Sequence, residues 1–208
     1  MTTIALVDYG MGNRRSVEKA LEHVGARVLR TADHEEIAAA DGVLVPGVGA
    51  FPEAMRRLRA AGLDAVVRER AQAGVPVLGI CLGMQLLFES STEHEGAEGL
   101  GLIPGTVTRL DARGAKLPHI GWNEVTFQRT GALTRRLGPT SAFYHVHSFV
   151  CRPSDHADVV GTGEYGETFP SIVEHGSVMG AQFHPEKSSR AGLALLGNFT
   201  AACATVRA

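Results

Sequence analysis

The sequence is poor in the features that mark secreted, membrane-spanning or nucleic-acid-binding chains. Its 208 residues hold only three cysteines, Cys81, Cys151 and Cys203. An odd and widely spaced set is no disulfide framework, and it points to a reducing compartment, the cytoplasm. No apolar run approaches the ~20 residues that a membrane span requires. The opening MTTIALVDYG is too short in its apolar part to be a secretion signal. An excess of one charge is also missing, since 20 Lys and Arg stand against 22 Asp and Glu. That balance lacks the basic stripe expected of a nucleic-acid binder. No charge run, repeat or low-complexity linker divides the chain. The expectation is a soluble cytoplasmic protein with one domain over residues 1–208, long enough to bury roughly 70% of its unfolded surface.

What is present is alternation. Residues 4–7, 26–29, 42–47 and 75–80 read as short buried strands. Between the first two, residues 13–25 carry Val17, Ala20, Leu21 and Val24 at helical spacing before Gly25. Asp33 opens a short helix over 33–40, residues 51–74 hold one or two helices, and 82–91 reads as the helix after the fourth strand. Strands alternating with helices run parallel and are joined by helical crossovers. The expected class is therefore α/β, an open and mostly parallel sheet with helices on both faces. Beyond residue 100 the pattern changes to short strand-like runs punctuated by Gly and Pro, among them IGWNEVTF, AFYHVHSFV and VMGAQFHP. These predict antiparallel additions. A final helix over 189–204 places Leu193, Leu196 and Thr200 on one face.

Cys81 lies in VLGICLGMQ, between Gly79 and Gly83, where the fourth strand turns into a helix. Open α/β sheets collect their chemistry at this edge. G-x-C-x-G is the thiol counterpart of the G-x-S-x-G nucleophile elbow, in which glycines let neighbouring elements close on a strained turn. A helix N-terminus favours thiolate, and the N–H of Leu82 is placed to donate to an oxyanion. The alternative is a small buried hydrophobe. A nucleophile needs a base, and QFHPE supplies a candidate. His184 and Glu186 are two residues apart in a segment read as extended, so they share one side, as a base and its orienting carboxylate would. The alternative there is a solvated surface pair. Pro46-Gly47-Val48-Gly49 follows the third strand at the same edge, either as a turn or as the source of a second oxyanion donor. His145 and His147 alternate as metal ligands would, but no further ligands accompany them, so no metal and no cofactor is expected.

Together these stretches resemble the class I glutamine amidotransferases, with Gly79–Gln85 and Gln182–Glu186 as the paired triad motifs. Asp8–Asn13, Pro46–Phe51, Pro118–Asn123, Val146–Ser148 and His184–Ser188 further resemble the glutaminase subunits of imidazole glycerol phosphate synthase, over nearly the whole chain. The resemblance implies hydrolysis of glutamine through a thioester. It also implies a heterodimer with a TIM-barrel cyclase, which uses the ammonia to form imidazole glycerol phosphate and aminoimidazole carboxamide ribotide in histidine biosynthesis. Carried over by position, Cys81 is the nucleophile, His184 the base and acid, and Glu186 the orienting carboxylate. Val48 and Leu82 offer oxyanion N–H groups, while Gly47, Gly49, Gln85 and Glu89 hold the substrate. Asn13, Trp122 and Lys187 face the cyclase. Two positions depart from the pattern: His145 stands where an aromatic is commoner, and Phe149 where Tyr is. The alternative is a glutaminase subunit of another class I enzyme, anthranilate or pyridoxal-phosphate synthase, but those lack the Gly-Trp-Asn stretch and the Lys-Ser after His-Pro-Glu.

Overall fold

The computed structural model describes residues 1–205. The chain first alternates: β1 (Thr3–Val7), α1 (Arg14–His23), β2 (Arg27–Thr31), α2 (His34–Ala39), β3 (Gly42–Val45), α3 (Phe51–Ala60), α4 (Leu63–Gln72), β4 (Val77–Ile80) and α5 (Leu82–Leu86). Strands then dominate: β5 (Phe88–Ser91), β6 (Ala97–Glu98), β7 (Ile103–Arg109), β8 (His119–Phe127), β9 (Thr140–His147), β10 (Phe149–Pro153), β11 (Val159–Tyr165), β12 (Glu167–His175) and β13 (Val178–Ala181). Helix α6 (Ser189–Ala204) follows.

Local chemistry accounts for the first half. The Asp33 carboxylate caps α2 by accepting from the N–H groups of Glu35 and Glu36 at 2.9 and 3.0 Å. The long helical stretch is two helices, because Gly62 takes a left-handed φ of 67° between them. β3 and β4 are buried along their whole length, as strands covered on both faces must be. Alternate residues divide the core. Ala5, Val7, Val43 and Val45 pack with α2, α3 and α4, whereas Ile4, Leu6 and Leu44 pack with α1 and α6.

The large sheet runs β2-β1-β3-β4-β13-β12-β11-β8-β9. Its first five strands are parallel and the remaining four are added antiparallel, so it is a mixed sheet. A second sheet, β10-β7-β5-β6, stands beside it. Two expectations change here. The helix after Cys81 stops at Leu86, because the carbonyls of Leu86 and Leu87 are taken by the N–H groups of Leu100, Leu102 and Ile103, and Phe88–Ser91 joins the second sheet. The run 142–150 is not one strand either, since the chain leaves the large sheet at His147 and enters the small one at Phe149. On α6 the buried face is Leu195, Leu196, Phe199, Thr200 and Cys203, and Leu193 is only partly covered. No helix among the described residues is long and apolar enough to cross a membrane.

The turn after β4 is packed against its neighbours at backbone distance. A Cβ on Gly83 would run into the carbonyl oxygen of Val45, and one on Gly79 into the backbone of Gly83 and Met84. These glycines therefore serve close approach, as the motif predicts. Gly83→Ala is expected to lower the melting temperature by roughly 2–12 °C, since overpacking costs about 1–3 kcal/mol and each kcal/mol is worth about 2–4 °C in a chain of this size. Gly138→Ala is the matched control, because among the described residues its added Cβ would meet nothing nearer than the Thr140 carbonyl oxygen at 3.9 Å. Equal melting temperatures for the two variants would show that the turn is loosely packed.

Candidate active site

Cys81 follows β4 at the carboxyl edge of the parallel strands, with backbone angles φ 54° and ψ −112°. A residue with a Cβ takes such a conformation only where its surroundings over-determine it. Here its N–H donates to the Ala181 carbonyl at 2.7 Å, while α5 begins at the very next residue. The thiol, buried with its residue 6% exposed, lies 3.7 Å from the Val146 carbonyl and accepts from Gln182 Nε2 at 3.9 Å.

His184 reaches this turn because β13 pairs with β4, with Ala181 opposite Ile80, so both chains emerge at the same level. The residues after β13 are pinned to β9. The His184 N–H donates to the Tyr144 carbonyl at 2.9 Å, and Ser188 Oγ donates to the His184 carbonyl at 2.7 Å. His184 Nδ1 lies 3.0 Å from Glu186 Oε1. A carboxylate can only accept, so Nδ1 carries the hydrogen and Nε2 is left to serve the sulfur. The reason differs from the expected one. Pro185–Lys187 is a 3-10 turn, and this turn, not strand alternation, returns Glu186 to the ring. The Glu186 side chain is fully buried, and its Oε2 has no partner among the described residues.

Burial opposes a charge on His184, but hydrogen bonding and Coulombic attraction to Cys81 and Glu186 outweigh it and raise the imidazole to about 9. The imidazole is thus suited to hold a proton beside the sulfur. The other two cysteines, Cys151 and Cys203, are buried as well. Burial pushes both thiols up, Cys203 to about 12, which suppresses their reactivity.

Around Cys81 lies an open cleft of about 290 Å³, which suits a small metabolite. Val48, Gly49, Leu82 and Gln85 line it, and Gly47 is wedged behind, against Leu82, Gly83 and the Tyr9 hydroxyl. Tyr9 donates to the Pro46 carbonyl at 2.5 Å, tying this loop across the crevice between β1 and β3 where strand order reverses. Gln85 Nε2 donates to the Phe149 carbonyl and to Gln182 Oε1, both at 3.1 Å. The cleft does not include Glu89. That residue is exposed on β5, and its carboxylate accepts from the Gly105 N–H at 2.7 Å. The carboxylate at the cleft is Glu93, which also accepts from the Phe51 N–H at 2.8 Å. Sequence reading missed it because it counted one helical turn from Gln85. The signal available was only a second glutamate in a polar turn. Gln182 was missed too, although it stands inside the histidine motif.

Of the three residues assigned to a partner, Trp122 is 57% exposed on β8 and meets Tyr144 edge-on at 6.3 Å. Lys187 places Nζ 5.9 Å from the centre of the same Tyr144 ring. Asn13 precedes α1 without a capping bond from its side chain, and lines a hollow that Glu186 also borders. His145 and His147 have both ring nitrogens in hydrogen bonds to protein groups, and no metal-binding cluster occurs among the described residues.

Comparison with known proteins gives the chain's family and fold. The family model "Glutamine amidotransferase class-I" matches residues 5–203. The chain is 53% identical to the imidazole glycerol phosphate synthase subunit HisH of Moorella thermoacetica, covering 96% of this chain and 94% of that protein. It is 50% identical to the subunit of the same name from Bacillus cereus, over 94% and 93% of the two chains. Among solved structures, a putative GMP synthase subunit from Thermoplasma acidophilum superposes with a TM-score of 0.74 at 20% identity, covering 100% of this chain and 96% of that one. A structure described as a glutamine amidotransferase gives 0.75 at 20% identity, over 96% and 98%. These last two likenesses concern the fold.

Proposed function

Because the chain belongs to the class I glutamine amidotransferases, in the family of HisH subunits of imidazole glycerol phosphate synthase, we propose that the cleft at Cys81 is where it hydrolyses glutamine for histidine biosynthesis. The observation that carries the reading is a strained cysteine facing a histidine whose Nδ1 is held by a buried carboxylate. Cys81 attacks the side-chain amide carbon, and His184 takes the thiol proton and returns it to the departing ammonia. Water, deprotonated by His184, then cleaves the thioester to glutamate. The N–H groups of Val48 and Leu82 stabilise the oxyanion. Both amide hydrogens of Gln85 are spent on protein acceptors, so its Oε1, with Glu93, receives the substrate's ammonium group. Gly47 and Gly49 keep the opposite wall close.

The partner is a TIM-barrel cyclase in a cytoplasmic heterodimer, and residues 1–208 act as one amidotransferase domain. Trp122 and Lys187, joined through Tyr144, form the docking face with Asn13. An exposed ion pair alone adds only ~0–1 kcal/mol, but a docked aromatic anchor excludes the water that screens it. With saturating cyclase, the parent is expected to release about one glutamate per imidazole glycerol phosphate, since each ammonia comes from one glutamine. Trp122→Ala and Lys187→Ala are expected to raise that ratio about threefold or more, the scale of losing an interface anchor. Ammonia-dependent synthesis stays nearly constant. An unchanged ratio and unchanged cyclase affinity in both variants would remove these residues from the interface.

A further inference from the structure

A hydrogen-bonded chain runs from β8 to the cleft, and the chemistry of its members places every proton. The Phe149 carbonyl can only accept, so His147 Nδ1, 3.0 Å away, carries hydrogen and His147 Nε2 is an acceptor. His119 Nδ1 lies 3.1 Å from that Nε2 and donates to it. His119 Nε2 then accepts from Asn123 Nδ2 at 3.2 Å, and the same amide donates to the Glu164 carbonyl at 2.8 Å. The register of β8 and β9 sets His119 opposite His147, and both are buried, at 2% and 5% exposure. His119 is stacked between Tyr165 and His145, with ring centres at 4.1 and 5.2 Å.

The far end of this chain is a carbonyl that the sheets leave unpaired. β10 is the edge of the small sheet, and Leu110 takes the Ser148 carbonyl, so the next carbonyl, of Phe149, faces away from β7. Its partners come from the cleft side, His147 and Gln85. We propose that His119 and His147 are positioning residues of the glutaminase site. As a neutral pair in one tautomer each, they hold the Phe149 carbonyl and, through it, the Gln85 amide in the orientation that receives the substrate's amino-acid end. Burial supports this by keeping both imidazoles neutral, His147 at about 3 and His119 below its ordinary value. A second hydrogen on His147 Nε2 would oppose the donor on His119. The inference rests on the reading of the cleft as the glutamine site.

The test compares two alkylating reagents on the full chain, a glutamine-shaped diazoketone and iodoacetamide. His147→Phe removes both hydrogen bonds of the inner ring, while His147→Asn restores a donor where Nδ1 stood. For His147→Phe, inactivation by the diazoketone is expected to slow about fivefold or more, the scale of one lost buried hydrogen bond. Iodoacetamide labelling of Cys81 stays within about twofold, because the triad is untouched. The KM for glutamine rises more than kcat falls, and His147→Asn recovers most of the loss. Asn123→Leu, at a half-buried position where folding is safe, slows the diazoketone about twofold or more. Equal slowing of both reagents in His147→Phe, or no slowing of the diazoketone in His147→Phe and Asn123→Leu, overturns the proposal. Separately, glutamine must protect Cys81 of the parent from iodoacetamide. Absence of protection removes the cleft reading itself, whatever the histidines do.

Discussion

Cys81→Ser abolishes glutamine hydrolysis, while the assembled complex still makes product from an added ammonium salt. The expected loss is at least about 10⁴-fold, the scale on which a triad fails when its nucleophile is removed. A hydroxyl does not ionise at neutral pH, so the variant loses the nucleophile and also the sulfur that helps lift His184 to about 9. The fold should survive, because the strained turn is fixed by backbone contacts to Ala181 and Val45 that the substitution leaves alone. The measurement is glutamate release beside ammonia-dependent synthesis in the same preparation. Loss of both activities together would falsify the assignment of Cys81 to ammonia generation alone.

His184→Ala should cost about 10³-fold or more in glutamine hydrolysis, whereas Glu186→Gln costs about 10- to 100-fold. The alanine removes the imidazole that, on the proposed mechanism, carries protons at the sulfur. The glutamine still presents a carbonyl oxygen to Nδ1, and its amide can occupy the Oε2 position, which has no hydrogen-bond partner among the described residues. Only the negative charge is lost, and with it part of the pull that raises the imidazole. The sign of the pH effect follows. His184 is raised from 6.5 to about 9 on folding, so its contribution to stability is complete below pH 6.5 and is lost as pH rises through about 9. The parent's thermal midpoint should therefore decline across that window, and an imidazole titration followed by NMR should sit near 9. In Cys81→Ser the titration falls, since burial remains while one attraction is gone. Equal losses in His184→Ala and Glu186→Gln, or a His184 titration that ignores Cys81, would show that the roles are divided wrongly.

Much of this molecule was readable from local pattern. Alternating strands and helices follow from hydrophobic period, which acts within ten residues or so, and β1 to β4 with α1 to α4 stand close to where that period puts them. The elbow was legible for the same reason, because Gly79 and Gly83 are needed by the turn they flank. Even the histidine motif carried its own partner, since His184 and Glu186 touch within one short turn.

What local pattern could not give was every contact made between distant strands. Nothing within a few residues of Phe88 says that the helix must stop, because what stops it is Leu100 to Ile103 returning to take its carbonyls. The same return moves Glu89 out to β5 and brings Glu93 to the cleft, an exchange that helical counting from Gln85 gets wrong. Sequence paired His147 with His145, whereas the antiparallel register of β8 and β9 faces it with His119 and commits the protons of both. The approach of His184 and Glu186 to Cys81 depends on β13 lying beside β4, a parallel pairing of strands far apart in sequence. Local sequence marked the turn at Cys81 and the loop at His184–Glu186, because the glycines and the short hydrogen-bonded span that build them lie within a few residues of each other. The tertiary structure alone decided which of them meet, because strand pairing uses backbone groups that every residue shares and is settled by packing of the whole sheet.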